Sequence, residues 1–340
     1  MPMEQQPALT GSSGPRAWTS DAIGGGEGLT HRLGSHHVEE LERLARATLG
    51  TDVTAIDRAA FSSPLVDALM KGVREEIERG KGIVVLSGLD PQKLGTDLFT
   101  RIHWGLASHL GTMPPQSPKG DRIGFVRKEA NNPDARGYQA DIELRPHTDF
   151  HELLSLGCIS TAAEGGLSGF VSGRAIHDIM AAECPQHLPA LYEGYYHDTT
   201  GEGEFSDDPV PVFGWRDGNL GVYHQALFMN TAAAQRGEVI PPALIEAMAA
   251  FESVSKRPGV IVKTMLQPGD IGFWHNFAVL HARDGFTNDA QHERLILRLW
   301  INPPTSLPLP PVYIGQARKF DRLHAAGKPA IVYTKTGVKL

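Results

Sequence analysis

The chain of 340 residues is 41% hydrophobic and 21% charged with a formal net charge of −7, the balance of a globular protein rather than a disordered one. Acids and bases are interspersed, so no basic stripe points to nucleic acid and no polybasic segment to an anionic membrane surface. The longest apolar runs, such as 83–86, are far too short to span a bilayer, and the start lacks a basic-then-apolar leader. Two cysteines, Cys158 and Cys184, form neither a CxxC pair nor a disulfide framework, so a reducing, cytoplasmic location is expected.

Residues 1–27 are rich in Gly, Ser, Pro and Gln and are expected to form a disordered tail, leaving 28–340 as a single domain. In "HHVEELERLARATLG" Val38, Leu41, Leu44, Ala45 and Leu49 recur at helical spacing. "SSPLVDALMKGVREEIERG" is a second helix, with Ser63 as N-cap, Pro64 at the first helical position and Gly80 at the end. "GIVVLSGL" reads as a short buried strand, and "TDLFTRIHWGLASHLG" as a third helix. From about 120 onward short apolar or alternating runs broken by Gly, Pro and Asn read as β structure, interrupted by helices at "GRAIHDIMAAEC" and "PALIEAMAAFESVSK". "PVPVFGW", "LGVYHQ", "GVIVKTML", "DIGFWH" and "RLILRLWI" are further strands. Neither a βαβ alternation nor a Gly-rich phosphate loop is present. The expected class is mostly β with flanking helices: an antiparallel sandwich or barrel buttressed from outside.

Within "LRPHTDFHELLSL", His147, Asp149 and His151 fall on alternate positions of an extended segment. Residues i and i+2 of a strand point the same way, about 7 Å apart, so a kinked strand end can bring His147 and Asp149 onto one ion. His151 lies roughly 13 Å from His147 if the strand continues, and is expected behind the ligands or at the surface. A third ligand has to come from elsewhere. Two histidines and one carboxylate on one octahedral face leave three positions open, the arrangement of non-haem Fe(II) oxygenases. A hydrogen-bonded His–Asp pair at a strand end is the alternative.

The C-terminal third supplies context. "QPGDIGFWHNFAVLHARDGF" places His281 at the end of an apolar segment, and "ERLILRLWI" follows. Alternation puts Arg294, Ile296, Arg298 and Trp300 on one face and Leu295, Leu297, Leu299 and Ile301 on the other. Two arginines facing inward require anionic partners, because a buried guanidinium without one is unfavourable. The planar fork suits a carboxylate.

The stretches "ELRPHTD", "GGLSGFVSG", "PGDIGFWHN…VLHARDGF" and "ERLILRLWI" resemble the TauD/TfdA-like (taurine dioxygenase) branch of the Fe(II)- and 2-oxoglutarate-dependent oxygenases, over roughly residues 80–305. The resemblance implies a double-stranded β-helix, a jelly-roll or cupin-like core with helices outside. It implies that His147, Asp149 and His281 are iron ligands and that Arg294 holds the far carboxylate of 2-oxoglutarate, with Ser168 helping. It places Arg298 at a contact to the substrate's anionic end. It implies O2-dependent hydroxylation of an unactivated C–H bond of a small molecule, with release of succinate and CO2. Halogenating relatives lack the carboxylate that Asp149 provides here.

Gln139, Tyr223 and Asn276 are candidate substrate-binding residues, and His224, Gln225 and His275 further pocket candidates, each with strand packing as the alternative. The expected partner is a small molecule, anionic if Arg298 contacts it: an amino acid, a sulfonate or a natural-product intermediate. Nucleic acid and membrane are not expected, and a homo-oligomer is compatible with the sequence. Two rival readings are a cupin-type metalloenzyme that needs no 2-oxoglutarate, which would have no use for Arg294, and a non-catalytic ligand-binding relative, which would have no reason to keep all three ligands.

Overall fold

A computed structural model describes residues 14–117, 120–129, 139–198, 200, 203–327, 332–334 and 337–339. Helix α1 (Ser20–Ile23) and strand β1 (Thr30–Arg32) precede α2 (Ser35–Ala47), α3 (Pro64–Arg79), β2 (Ile83–Ser87) and α4 (Pro91–Ser108). Then come β3 (Gly124–Val126), β4 (Leu144–His147), β5 (Leu153–Ser160), β6 (Glu164–Gly165), β7 (Ser168–Ser172), α5 (Gly173–Glu183) and α6 (Leu188–Glu193). The second half runs β8 (Phe213–Arg216), β9 (Asn219–Val222), α7 (Ala226–Arg236), α8 (Pro242–Ser255), β10 (Val262–Thr264), β11 (Ile271–His275), β12 (Val279–Arg283), β13 (Phe286–Thr287), β14 (Leu295–Ile301) and α9 (Pro311–Ala325).

Local chemistry explains the helix ends. Ser63 Oγ accepts from Val66 N at the start of α3, Pro64 fits where no intrahelical N–H is needed, and Gly80 closes the helix. The stripe Val66, Met70, Val73 and Ile77 is the face that α3 buries, worth about 1.5–3 kcal/mol per large side chain.

Two sheets organise the rest. One has the order β1-β2-β11-β5-β14-β3, antiparallel apart from the β1–β2 pair. The other, β10-β7-β12-β4, is antiparallel throughout. Strand alternation sorts their side chains into three layers. Leu86, Phe273, Leu297, Leu299 and Ile301 pack outward against α2, α3 and α4. Leu154, Trp274, Ile296 and Trp300 pack inward with Phe170, Val262 and Val279 of the second sheet. Val171 and Leu280 leave the second sheet's far side for α5, α6, α7 and α8. The leucine face and the arginine face of β14 therefore lie as their alternation requires.

The mostly-β expectation is overturned: helix exceeds strand, 40% to 22%, in a mixed α/β fold. The difference lies in α6, α7 and α9 as well as in the expected helices. In α7 the buried residues Phe228, Met229, Ala232 and Ala233 make a short, alanine-rich stripe whose pattern emerges only against neighbouring elements. Part of the segment expected as a tail is also placed. Trp18 is 3% exposed and donates from Nε1 to Lys81 O at 2.8 Å, an anchor that the glycine-rich composition around it conceals. Residues 1–13 lie outside the described residues.

Candidate metal centre

His147 ends β4 and His281 stands opposite it in register on β12, with ring centroids 4.2 Å apart. Asp149 follows in a turn held from three sides. Asn276 Oδ1 accepts from Asp149 N at 2.9 Å, while Asn276 Nδ2 donates to Asp149 O and His151 O at 2.8 and 2.9 Å. Thr148 N donates to His224 O at 3.1 Å, and Gln225 Nε2 donates to Thr148 O. These bonds satisfy the backbone of the turn and hold Asp149 toward the two rings. One ligand atom from each of His147, Asp149 and His281 lies within 4.8 Å of the others, and no other such cluster occurs among the described residues.

The donor set is preorganised. His147 Nδ1 donates to Arg145 O at 2.8 Å, so the tautomer assigned by that bond leaves Nε2 as a lone pair, 3.9 Å from Asp149 Oδ1. Burial lowers the pKa of both histidines, that of His281 to about 3, with His147 adding to the effect there. Both are neutral, as metal ligands must be. Burial alone would raise the Asp149 carboxyl. The Arg298 guanidinium, with the Trp300 hydrogen bond, outweighs burial and holds it well below the usual carboxylate range. Oδ2 accepts from Arg298 Nη1 at 3.1 Å and Trp300 Nε1 at 2.8 Å, which leaves Oδ1 toward the rings. Two imidazoles and one carboxylate oxygen on one side of a cavity fit a divalent first-row metal with several positions open.

The cavity is lined by residues of both sheets. Phe150, Leu156, Val126 and Phe228 form apolar walls, and Ser168, Gln225, Arg283, Arg294 and Arg298 supply polar groups. Arg294 is 3% exposed. Its Nη1 donates to Val126 O at 3.2 Å, and no acid among the described residues offsets its charge. Burial lowers its pKa to about 10. A buried cation in that condition fits an anion delivered by a ligand. Ser168, 3% exposed, stands on β7 at the same end of the cavity.

The other candidates divide. Arg298 lines the cavity but its Nη1 is paired with Asp149, and its Nε donates to Gln116 Oε1 at 2.9 Å. Gln225 lines the cavity, whereas Asn276 is fully buried with its amide on the ligand turn. Tyr223 is 1% exposed and packs among Phe277, Tyr313 and His197, outside the cavity lining. Gln139 accepts from Glu129 N through its carbonyl and is likewise not among the lining residues. His275 pairs with Glu152 at 3.3 Å in the interior, and His224 packs tilted against Phe251. His151 is behind the ligands rather than at the surface: it is fully buried, stacks on Trp300 at 4.7 Å and bonds through Nε2 to Asp321 of α9 at 2.9 Å. Sequence reasoning passed over Arg283, although its place two residues after His281 puts it on the same strand face.

Residues 42–300 match the family described as "Taurine catabolism dioxygenase TauD, TfdA family". The chain is 29% identical over 325 residues to FR-33289 synthase of Streptomyces rubellomurinus, a match covering 89% of this chain and 94% of that protein. Its fold is similar to that of asparagine oxygenase in complex with Fe(II), 2S,3S-3-hydroxyasparagine and succinate. That likeness has a TM-score of 0.67 at 16% identity and covers 81% of this chain and 93% of the other. It is also similar to the non-heme iron oxygenase OrfP in complex with Fe and alpha-ketoglutaric acid, with a TM-score of 0.61 at 14% identity, covering 80% and 94%.

Proposed function

The chain belongs to the taurine catabolism dioxygenase TauD, TfdA family and is an Fe(II)- and 2-oxoglutarate-dependent oxygenase, and we propose that it hydroxylates an unactivated C–H bond of a small molecule bearing an acid group. The observation that carries this reading is the His147–Asp149–His281 cluster facing the same cavity as Arg294, a buried guanidinium without an acidic partner among the described residues.

His147 Nε2, one nitrogen of His281 and Asp149 Oδ1 would hold the iron. With Oδ2 occupied by Arg298 and Trp300, Asp149 offers a single oxygen and would leave other positions on a bound metal open. Bound iron supplies O2 activation coupled to decarboxylation of 2-oxoglutarate to succinate. Arg294, with Ser168, takes the far carboxylate of that keto acid and so fixes its orientation. Phe150, Leu156, Phe228 and Val126 exclude water from the space beside the ligands. Arg298 faces the same space and keeps Asp149 ionised, and its charge is the one an acid group on the substrate would meet. The hydroxylated amino acid held by asparagine oxygenase, which carries a carboxylate, supports an acid-bearing substrate here.

Two sheets, antiparallel but for the β1–β2 pair, that meet face to face around the candidate ligands support the double-stranded β-helix reading. A cytoplasmic location is supported by two free cysteines; no helix among the described residues is long and apolar enough to cross a membrane.

Incubation with Fe(II), ascorbate, 2-oxoglutarate and a panel of small acids and their neutral esters tests the proposal by mass spectrometry. The expected result is a gain of one oxygen matched by succinate formation, for acids and not for esters. Turnover that needs the metal but no keto acid would favour the cupin-type alternative. Absence of metal-dependent keto-acid consumption altogether would favour a non-catalytic relative.

A further inference from the structure

Arg294 is not the only guanidinium in the cavity lining. Arg283 sits on β12, one strand pleat beyond His281, and directly opposite Ser168 on β7. The chain runs from His281 inward to Arg283, turns, and returns along β14 from Arg294 toward Arg298 and Trp300. Arg283 and Arg294 are therefore neighbours at the end away from the metal ligands. Their guanidinium carbons lie 4.9 and 5.3 Å from the ring centroid of Phe286 on β13.

Arg283 is 5% exposed. Its Nη2 donates to Ala140 O and Ile142 O, both at 2.7 Å, which anchors the head to the segment leading into β4. Its Nε and Nη1 are buried and meet no hydrogen-bond acceptor among the described residues. Asp141, the acid that acts on Arg283 through space, is itself ion-paired with Lys128 at 2.6 Å. Two buried like charges around one phenyl ring, one of them with two idle donors, are an unfavourable arrangement unless an anion enters between them.

We propose that Arg283 is a second cation of the 2-oxoglutarate site, donating from Nε and Nη1 to the same far carboxylate that Arg294 and Ser168 hold. This rests on the reading of Arg294 given above. The far carboxylate is the anion that reaches this end, because the keto-acid end of the molecule is directed to the metal ligands at the other. Through its Nη2 bonds, Arg283 also ties the occupied site to residues 140–142, just ahead of His147 and Asp149.

The test is binding of 2-oxoglutarate and of 2-oxovalerate, which lacks the far carboxylate, to the Fe(II)-loaded protein without oxygen. Calorimetry or tryptophan fluorescence provides the readout. R283Q should weaken 2-oxoglutarate binding by about tenfold or more, the loss of a charge-assisted contact, and leave 2-oxovalerate within about twofold. R283K, which keeps a charge but not the fork, should fall between R283Q and the wild type and serves if R283Q does not fold. Equal losses for both keto acids in R283Q would mean a structural role, and unchanged 2-oxoglutarate binding would mean no role; either overturns the proposal. For R283K alone, a wild-type preference between the two keto acids overturns it. R294Q separates the two readings: if the wild type prefers 2-oxoglutarate but R294Q keeps that preference, the reading of Arg294 fails, whatever R283Q shows.

Discussion

Trp300 Nε1 donates a 2.8 Å hydrogen bond to Asp149 Oδ2, the oxygen turned away from His147 and His281. The indole reaches it from the inner face of β14, stacked on His151 and set edge-on to Phe150 and Phe320. A tryptophan that reads as an ordinary core aromatic thus helps Arg298 to set which carboxylate oxygen faces His147 and His281.

Trp300→Phe keeps the ring packing and removes that donor. The expected outcome is iron affinity lower by about tenfold, because the partners that orient a ligand typically contribute 10–100-fold. Competition with a chromophoric chelator measures it. Keto-acid affinity at saturating iron should hardly change, and iron affinity equal to the wild type would show that Arg298 alone fixes the carboxylate.

Alanine at His147, Asp149 or His281 should abolish turnover, but the three variants should differ in stability without metal. Removing Asp149 leaves the guanidinium of Arg298 and the indole N–H of Trp300 facing an empty site, at 6% and 0% exposure. Breaking such a buried pair costs about 3 kcal/mol. Loss of either histidine removes no comparable charge partner and should cost about 1 kcal/mol. Urea unfolding in the presence of a chelator gives the ranking, with Asp149→Ala lowest.

Arg294→Ala should raise the apparent KM for 2-oxoglutarate at least about tenfold, the size of a lost charge-assisted contact, with a much smaller effect on the KM of the organic substrate. Arg294→Lys should recover part of the loss, since it restores charge without the fork. Steady-state succinate formation reports both. An unchanged 2-oxoglutarate dependence would transfer the role to Arg283 or Arg298.

The features legible in the sequence are those set by local rules. Ser63, Pro64 and Gly80 mark the ends of α3 because capping depends on a few adjacent residues. The inner face of β14 follows from strict alternation. His281 could be singled out, but its register opposite His147 depends on β12 pairing with β4 across more than a hundred residues. Asn276 shows the same limit: its chemistry suits a pocket, yet the fold turns its amide to the backbone at 149 and 151. The α/β balance was missed because α7 and α9 bury faces that exist only once β9, β12 and the Phe150 cluster are in place.

Asp321 connects α9 to this centre through the 2.9 Å contact to His151, while Phe320 stacks on Phe150 at 4.0 Å and Phe150 lines the cavity. Asp321→Ala should loosen the helix without touching a metal ligand. The expected result is faster amide exchange across Pro311–Ala325 and a several-fold rise in substrate KM, with iron affinity within about threefold of the wild type. Unaltered exchange in α9 would show that the aromatic contacts suffice to dock it.

Stability should fall on the acid side before the carboxylates titrate. Burial lowers the pKa of His103 to about 3, far from the cavity, where its Nε2 lies 2.7 Å from Ser155 Oγ and its ring fills the space beside Gly157. An unfolded histidine takes up its proton near pH 6.5, so between about 6.5 and 3 the unfolded state holds one proton more than the folded state. The folded form therefore loses up to about 1.4 kcal/mol per pH unit as pH falls through that window, and nothing above it. His197 and His224, lowered to about 3 and about 4, act in the same direction. Asp149, Glu152 and the other carboxyls with lowered pKa add to the loss only below about pH 5, when they begin to protonate in the unfolded chain, and do so equally in the wild type and a His103 variant. His103→Gln removes one titrating group, and its stability should decline less steeply between pH 6 and 4.5 by about 1.4 kcal/mol per unit, even if it starts lower at pH 8. Urea unfolding of the metal-free protein along that series decides the matter. Parallel lines for the two proteins would mean that His103 is protonated as readily in the folded chain as in the unfolded one.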